Sequence, residues 1–196
     1  MKIRVALALV SAMLLSACGL NSVPTAEENA KAKWANVQAA YQRRADLIPN
    51  LVATAKGAAA SEGGILTEVT EARAKASSVQ VNAGDLTDPA KVQQFQAAQD
   101  QLSGSLGRLL VTVEKYPELK SQANFTTLMS QLEGTENRIN IAIQDYNGAV
   151  QAYNTRIRTF PDSIGATVFY GAKPIVPFQA KAGSDTAPTV DFGNGS

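Results

Sequence analysis

Apolar side chains recur along most of this chain with a helical period. Phe125, Leu132, Ile139, Tyr146, Tyr153 and Phe160 follow at successive sevens, and Leu128, Met129, Ala142, Ile143, Val150 and Ile157 widen that row. The stripe predicts one amphipathic helix of about 36 residues, roughly 54 Å long, with Asn124 as its cap. An earlier stripe holds Trp34, Tyr41, Ile48 and Ala55, with Val37, Leu51 and Ala58 as the companion row. It predicts a helix over 26–60, begun by a capping box at Thr25 and Glu28 and kinked at Pro49. Between these two, Leu66, Val69, Arg73 and Ala76 mark a helix that starts after Gly63-Gly64 and ends near 81. Asp88-Pro89 reads as an N-cap followed by proline in the first turn. The helix it opens carries Val92, Phe95, Leu102, Leu106, Leu109 and Val113 inward and stops at Pro117.

Two long helices of similar length, joined through two others by reversing loops, predict an all-α antiparallel bundle of about four long helices. Its stripes are broader than a two-position seam. That favours a core within one chain over an oligomeric coiled coil. After Pro161, the segment 164–170 is expected as one short helix or an apolar cap. Pro174 and Pro177 then make 174–178 extended. From 181 the chain is Gly, Ser, Thr, Pro and Asp with little apolar content, which predicts a disordered tail.

Ahead of the helices the pattern changes. Lys2 and Arg4 precede an apolar run over 5–15, and Leu15-Ser16-Ala17-Cys18 closes it. The run is roughly 17 Å as a helix, where a bilayer span needs about 20 apolar residues. It reads as an export signal ending in a lipobox, cut before Cys18, the only cysteine in the chain. Acylated Cys18 would hold the protein on a membrane, facing the periplasm or the outside. Gly19 follows it in place of an Asp, which favours the outer membrane in a host that has one. The expected organisation is a removed signal over 1–17, a tether over 18–24, the bundle over 25–180 and the tail over 181–196.

Composition narrows the chemistry. The net charge of +1 offers no electrostatic case for nucleic acid or anionic lipid. With no histidine, the chain has no Ser-His-Asp or Cys-His triad, no HExxH helix and no Glu-x-x-His di-iron pair. No phosphate-binding glycine loop or EF-hand loop appears, and no cofactor or metal is expected. Three charged residues fall on or beside apolar stripes: Arg44, Arg73 and Glu136. A buried charge costs several kcal/mol unless paired, so an interhelical Arg–Glu network is expected. An anion site between helices is the alternative. Arg43 and Asp46 lie off the stripe and are candidates for a partner surface. Tyr146 and Tyr153 read as core-edge residues whose hydroxyls reach partners at the rim, or else as a sugar-stacking ridge.

Several segments together resemble the LemA family. They are QRRADLIPNL at 42–51, TEARAKA at 70–76, YPELK at 116–120, TENRI at 135–139, and the YN steps at 146–147 and 153–154 ahead of FP at 160–161. The resemblance covers about 34–178. It implies a membrane-tethered helical bundle without established catalytic residues, and suggests a membrane metalloprotease as a partner. Many members carry a transmembrane helix where this chain has a lipobox. The leading functional expectation is therefore a non-enzymatic, lipid-anchored envelope protein that binds or scaffolds another component. A carboxylate-driven cell-wall enzyme and a periplasmic ligand carrier are the alternatives.

Overall fold

The computed structural model describes residues 21–58 and 62–179. Cys18, the export signal and the tail lie outside them. Among the described residues there are six α-helices and no strand. Helix α1 spans Ser22–Ala58, α2 Gly63–Ser78, α3 Pro89–Val113, α4 Pro117–Lys120, α5 Ala123–Arg156 and α6 Asp162–Gly165. A 3-10 turn, Ala83–Thr87, precedes α3, and a π-helical turn, Ala166–Tyr170, continues α6.

The long helices α1 and α5 pack along the most extensive interface, and α2 packs on α3 and on α1. Contacts fix their directions. Lys33 meets Asp145 at 2.8 Å while Arg44, about three turns on, meets Glu136 at 3.2 Å, so α5 runs against α1. Lys75 reaches Gln101 at 2.9 Å and Glu68 pairs with Arg108, so α3 runs against α2. The all-α antiparallel bundle expected from the stripes is the observed fold.

Local signals were partly overridden. The Thr25–Glu28 capping box does not start α1. The helix begins at Ser22, inside the expected tether, and Thr25 Oγ1 donates back to the Asn21 carbonyl at 2.7 Å. Val23 is buried in the first turn, and that packing extends the helix past Pro24, whose missing N–H costs little there. Gln122, not Asn124, occupies the cap position of α5. Helix α3 ends at Val113, and Pro117 opens α4 rather than stopping α3. Asp88 does cap α3, accepting from the Ala90 amide at 2.9 Å. The seven-residue row of α5 fails at Phe160, which is exposed. The helix has ended at Arg156, so the row no longer points at the core.

Buried side chains fall into two clusters along the bundle axis. Trp34, Tyr41, Phe95, Tyr146 and Tyr153 dominate the one at the N-terminal end of α1. Ile48, Leu51, Leu66, Leu102, Leu109 and Leu132 dominate the other. At the level between them, polar groups from several helices meet inside the molecule.

Candidate functional site

Arg44 sits between Tyr41 and Ile48 on the inward row of α1, at the boundary between the two clusters, and is 1% exposed. Neighbours on α3 and α5 place acceptors at the same level. Nη1 donates to Ser103 Oγ at 2.8 Å and to Glu136 Oε2 at 3.2 Å. Nη2 donates to Gln99 Oε1 at 3.0 Å and to the Gln99 carbonyl at 3.3 Å. Gln99 Nε2 in turn donates to the Ala76 carbonyl at 3.3 Å, which brings α2 into the layer. The guanidinium lies 5.0 Å from the centre of the Tyr41 ring, within cation–π range. One planar cation with five N–H groups thus joins four helices at one register. Burial pushes the Tyr41 phenol above its usual range, a shift the Arg44 charge opposes.

The expected three-member network is divided. Arg44 and Glu136 meet, but the Glu136 side chain is 54% exposed and reaches in from the rim. Arg73 is elsewhere. Its Nε donates to the Ala45 carbonyl at 2.8 Å. The reason lies four residues along α1. Pro49 has no N–H, so the Ala45 carbonyl lacks its helical donor. Arg73 supplies one from α2, and α1 remains helical through Pro49. The sequence missed Gln99 and Ser103, which sit as ordinary polar residues in α3.

A second construction holds the end of the described chain. Gly171, with φ of 53°, reverses the backbone after the π-helical turn. The extended segment 172–178 then runs back along α5. Asn154 gives Nδ2 to the Ile175 carbonyl at 2.8 Å and accepts the Ile175 amide at 2.9 Å. Asn147 does the same with Phe178, at 2.9 and 2.8 Å. Tyr146 and Tyr153 donate to the Val176 and Lys173 carbonyls at 2.8 and 3.2 Å. The Leu86 carbonyl takes the Val176 amide at 2.9 Å. The spacing is a geometric match. Seven helical residues advance about 10.5 Å and three extended residues about 10 Å, so two YN steps one heptad apart meet positions three apart on the strap. Both tyrosine rings are buried, which removes the sugar-stacking ridge.

Two surface features remain. Along the α1–α5 seam, grooves of about 310 and 370 Å³ adjoin, and Arg43 and Arg138 line both. Ile141, half exposed, lines one of them, and Leu47 the other. Asp46 is exposed and accepts from Gln42 Nε2 at 2.7 Å, and it lines neither groove. On the opposite side of α1 a groove of about 340 Å³ has Tyr41 and Phe95 among its walls and Gln38, Gln42, Gln80 and Gln99 around them. Among the described residues no three His, Cys, Asp or Glu side chains gather as a metal-holding group, and no helix is long and apolar enough to cross a membrane.

A sequence model of the LemA family matches residues 33–192. Magnetosome protein MamQ 1 of Paramagnetospirillum magneticum is 29% identical over 184 residues, which cover 85% of this chain and 66% of the relative. MamQ of Magnetospirillum gryphiswaldense is 28% identical over the same length and shares. Protein LemA of Metamycoplasma hominis is 27% identical over 124 residues, 63% of this chain and 52% of that protein. The chain spans just under two thirds of the length of its magnetosome relatives.

Proposed function

The chain belongs to the LemA family, and on that premise we propose that it is a non-enzymatic, membrane-tethered scaffold. It would be acylated at Cys18 and exposed on the periplasmic or outer side of a membrane. Its α1–α5 seam would dock an acidic segment of another envelope protein, a membrane metalloprotease being one candidate. The observation that carries this reading is the pair Arg43 and Arg138, which together line two adjoining grooves with apolar Ile141 and Leu47. The two arginines and the apolar residues beside them suit an amphipathic acidic segment, with the charges steering approach and the apolar contacts supplying affinity. Asp145, which also lines the first groove, is paired with Lys33. The two interior arginines have structural partners, which supports a structural role for them. Arg44 is committed to Ser103, Gln99 and Glu136, and Arg73 to Ala45.

Photo-crosslinking from Ile141 in intact cells tests it. A specific adduct that disappears with Arg43→Glu plus Arg138→Glu, while a probe at Val111 gives none, is the expected result. An adduct unchanged by the double charge reversal would sink the seam as a docking site. The glutamine-rimmed groove beside Tyr41 supports a second reading, a carrier of a polar ligand with a flat apolar face. Ligand-dependent quenching of Trp34 lost in Gln42→Leu would favour it.

A further inference from the structure

Phe160, Ile164, Val168 and Phe169 are between 56% and 81% exposed, the densest run of large apolar side chains on the described surface. The other exposed aliphatics, Val111 and Ile141, stand singly on α3 and α5. The local fold explains how the four come to face outward. Gly165 and Ala166 are buried against the bundle. Ile164 and Val168 are spaced by four residues along the helical segment and share its outward face, while Phe160 stands exposed in the turn just before α6. An exposed patch of this kind marks a binding surface.

Its place in the molecule identifies what covers it. Helix α6 touches α1, and Val23 in the first turn of α1 shares a cluster with Ile157 and Ala166. The patch therefore lies at the end of the bundle where the chain enters from Cys18. Cys18 lies four residue steps before Ser22, a reach of at most about 14 Å. Acyl chains on Cys18 would hold this end, and no other, within contact of the bilayer. Exposed Arg158 and Lys173 flank the apolar residues in sequence and suit headgroup phosphates.

We propose that 160–169 is a second, non-covalent membrane contact, an apolar knuckle that enters the lipid interface beside the acylated terminus. The inference rests on the anchoring proposed above. One covalent point is a swivel, whereas two points set an orientation. The bundle then stands on its aromatic end. Arg43 lies 21 residues beyond Ser22 along α1, about 32 Å from the membrane end at the helical rise. A partner would have to present its acidic segment at that height.

The test uses the full-length acylated protein in vesicles of phosphatidylethanolamine and phosphatidylglycerol. Cys18 is the only cysteine, so once it is acylated, Val168→Cys carries the one free thiol for a nitroxide label. Val111→Cys is the aqueous control, and both sites are exposed enough to accept the change. Collision rates with oxygen and with a water-soluble nickel chelate are measured, and the mass of the Cys18 peptide reports acylation separately. The expected result is several-fold more oxygen than nickel collision at 168 and the reverse at 111. Nickel collision at 168 equal to that at 111, with Cys18 acylated, overturns the knuckle and leaves the anchor standing. Low collision with both reagents means another part of the protein covers the patch, and also overturns it. An unmodified Cys18 ends the anchoring proposal. The knuckle is then judged in Cys18→Ser plus Val168→Cys, where position 168 again carries the one thiol; it stands if oxygen still dominates there and falls if nickel does.

Discussion

At one end of the bundle Trp34, Tyr41, Phe95, Tyr146 and Tyr153 fill the space between helices, and at the other Ile48, Leu51, Leu66, Leu102, Leu109 and Leu132 do. The aliphatic end joins helices to helices, whose backbone groups are paired mainly within them. The aromatic end must also bind two irregular segments, 79–82 and 172–178, whose carbonyls have no helical donor. Its rings supply those donors. Trp34 Nε1 gives to the Val81 carbonyl at 2.8 Å, and Tyr146 and Tyr153 give to the strap. The rings also touch in series. Phe178 of the strap stacks on Tyr41 at 6.2 Å, Tyr41 meets Phe95 at 5.4 Å, and Trp34 meets both Phe95 and Tyr146 at 5.2 Å. An amphipathic ring is used where the core must grip something that is not a helix.

Truncation at each end tests that division and has the largest expected effect. Trp34→Ala should cost about 3–5 kcal/mol and Leu102→Ala about 2–5 kcal/mol in denaturant melts. Size alone does not separate them, but location does. Hydrogen exchange in Trp34→Ala should rise first at 79–82 and along the strap, whereas Leu102→Ala should leave both protected until global unfolding. Early strap opening in Leu102→Ala would erase the distinction between the two regions.

The strap offers the next effect. Asn154→Ala leaves the Ile175 amide and carbonyl without partners, a loss of about 1–3 kcal/mol confined to that segment. Exchange at Ile175 should speed while amides of α2 stay as they were. Alkali should act at the same place. Burial raises the Tyr146 and Tyr153 phenols above their ordinary 10.0. The folded state therefore keeps protons that the unfolded chain releases, so this contribution is complete below that value and falls as pH climbs past it. Tyr146→Phe plus Tyr153→Phe should flatten the alkaline limb of a stability–pH curve, and an unchanged limb would remove the tyrosines as its cause.

These elements were not equally legible beforehand. The seven-residue rows announced α1 and α5, because a long buried stripe has one helical solution. Helix starts were obscured where packing outweighed capping, as at Val23 against Thr25. Cys18 can be read only from sequence. Arg44 could be seen as a cation on an apolar row, yet its partners Gln99 and Ser103 look like any polar residues in a helix. The strap did leave a trace in the equal spacing of Tyr146-Asn147 and Tyr153-Asn154, and in Pro174 and Pro177. Reading it requires setting a helical rise beside an extended one, which no single-segment pattern does.

The polar layer between the two regions should be less sensitive than a fully buried ion pair, for which removing one partner costs about 3–5 kcal/mol. Glu136 stays half in water, and Arg44 keeps its bonds to Ser103 and Gln99 without it. Glu136→Gln should cost about 1 kcal/mol, since the lost charge is solvent-screened. A drop as large as that for Trp34→Ala would mean the layer, not the aromatic end, organises the bundle.

The smallest effect concerns the aliphatic side of that layer, where a donor also crosses to an orphaned carbonyl, but from a charged side chain. Arg73→Met keeps the apolar stem and removes the Nε–H that reaches Ala45, for an expected cost of about 1 kcal/mol. Pro49→Ala restores the helical N–H to the same carbonyl. If Arg73 is there because of Pro49, the two changes cannot be additive. Arg73→Met should cost less in the Pro49→Ala background, with a coupling of about 0.5–1 kcal/mol in a double-mutant cycle. Strict additivity would mean that Arg73 holds α2 to α1 whether or not the carbonyl is orphaned. The proline would then be incidental to a contact made for packing. A measurable coupling ties the proline of one helix to the arginine of the next, so that a defect in α1 becomes the reason α2 is fixed in register.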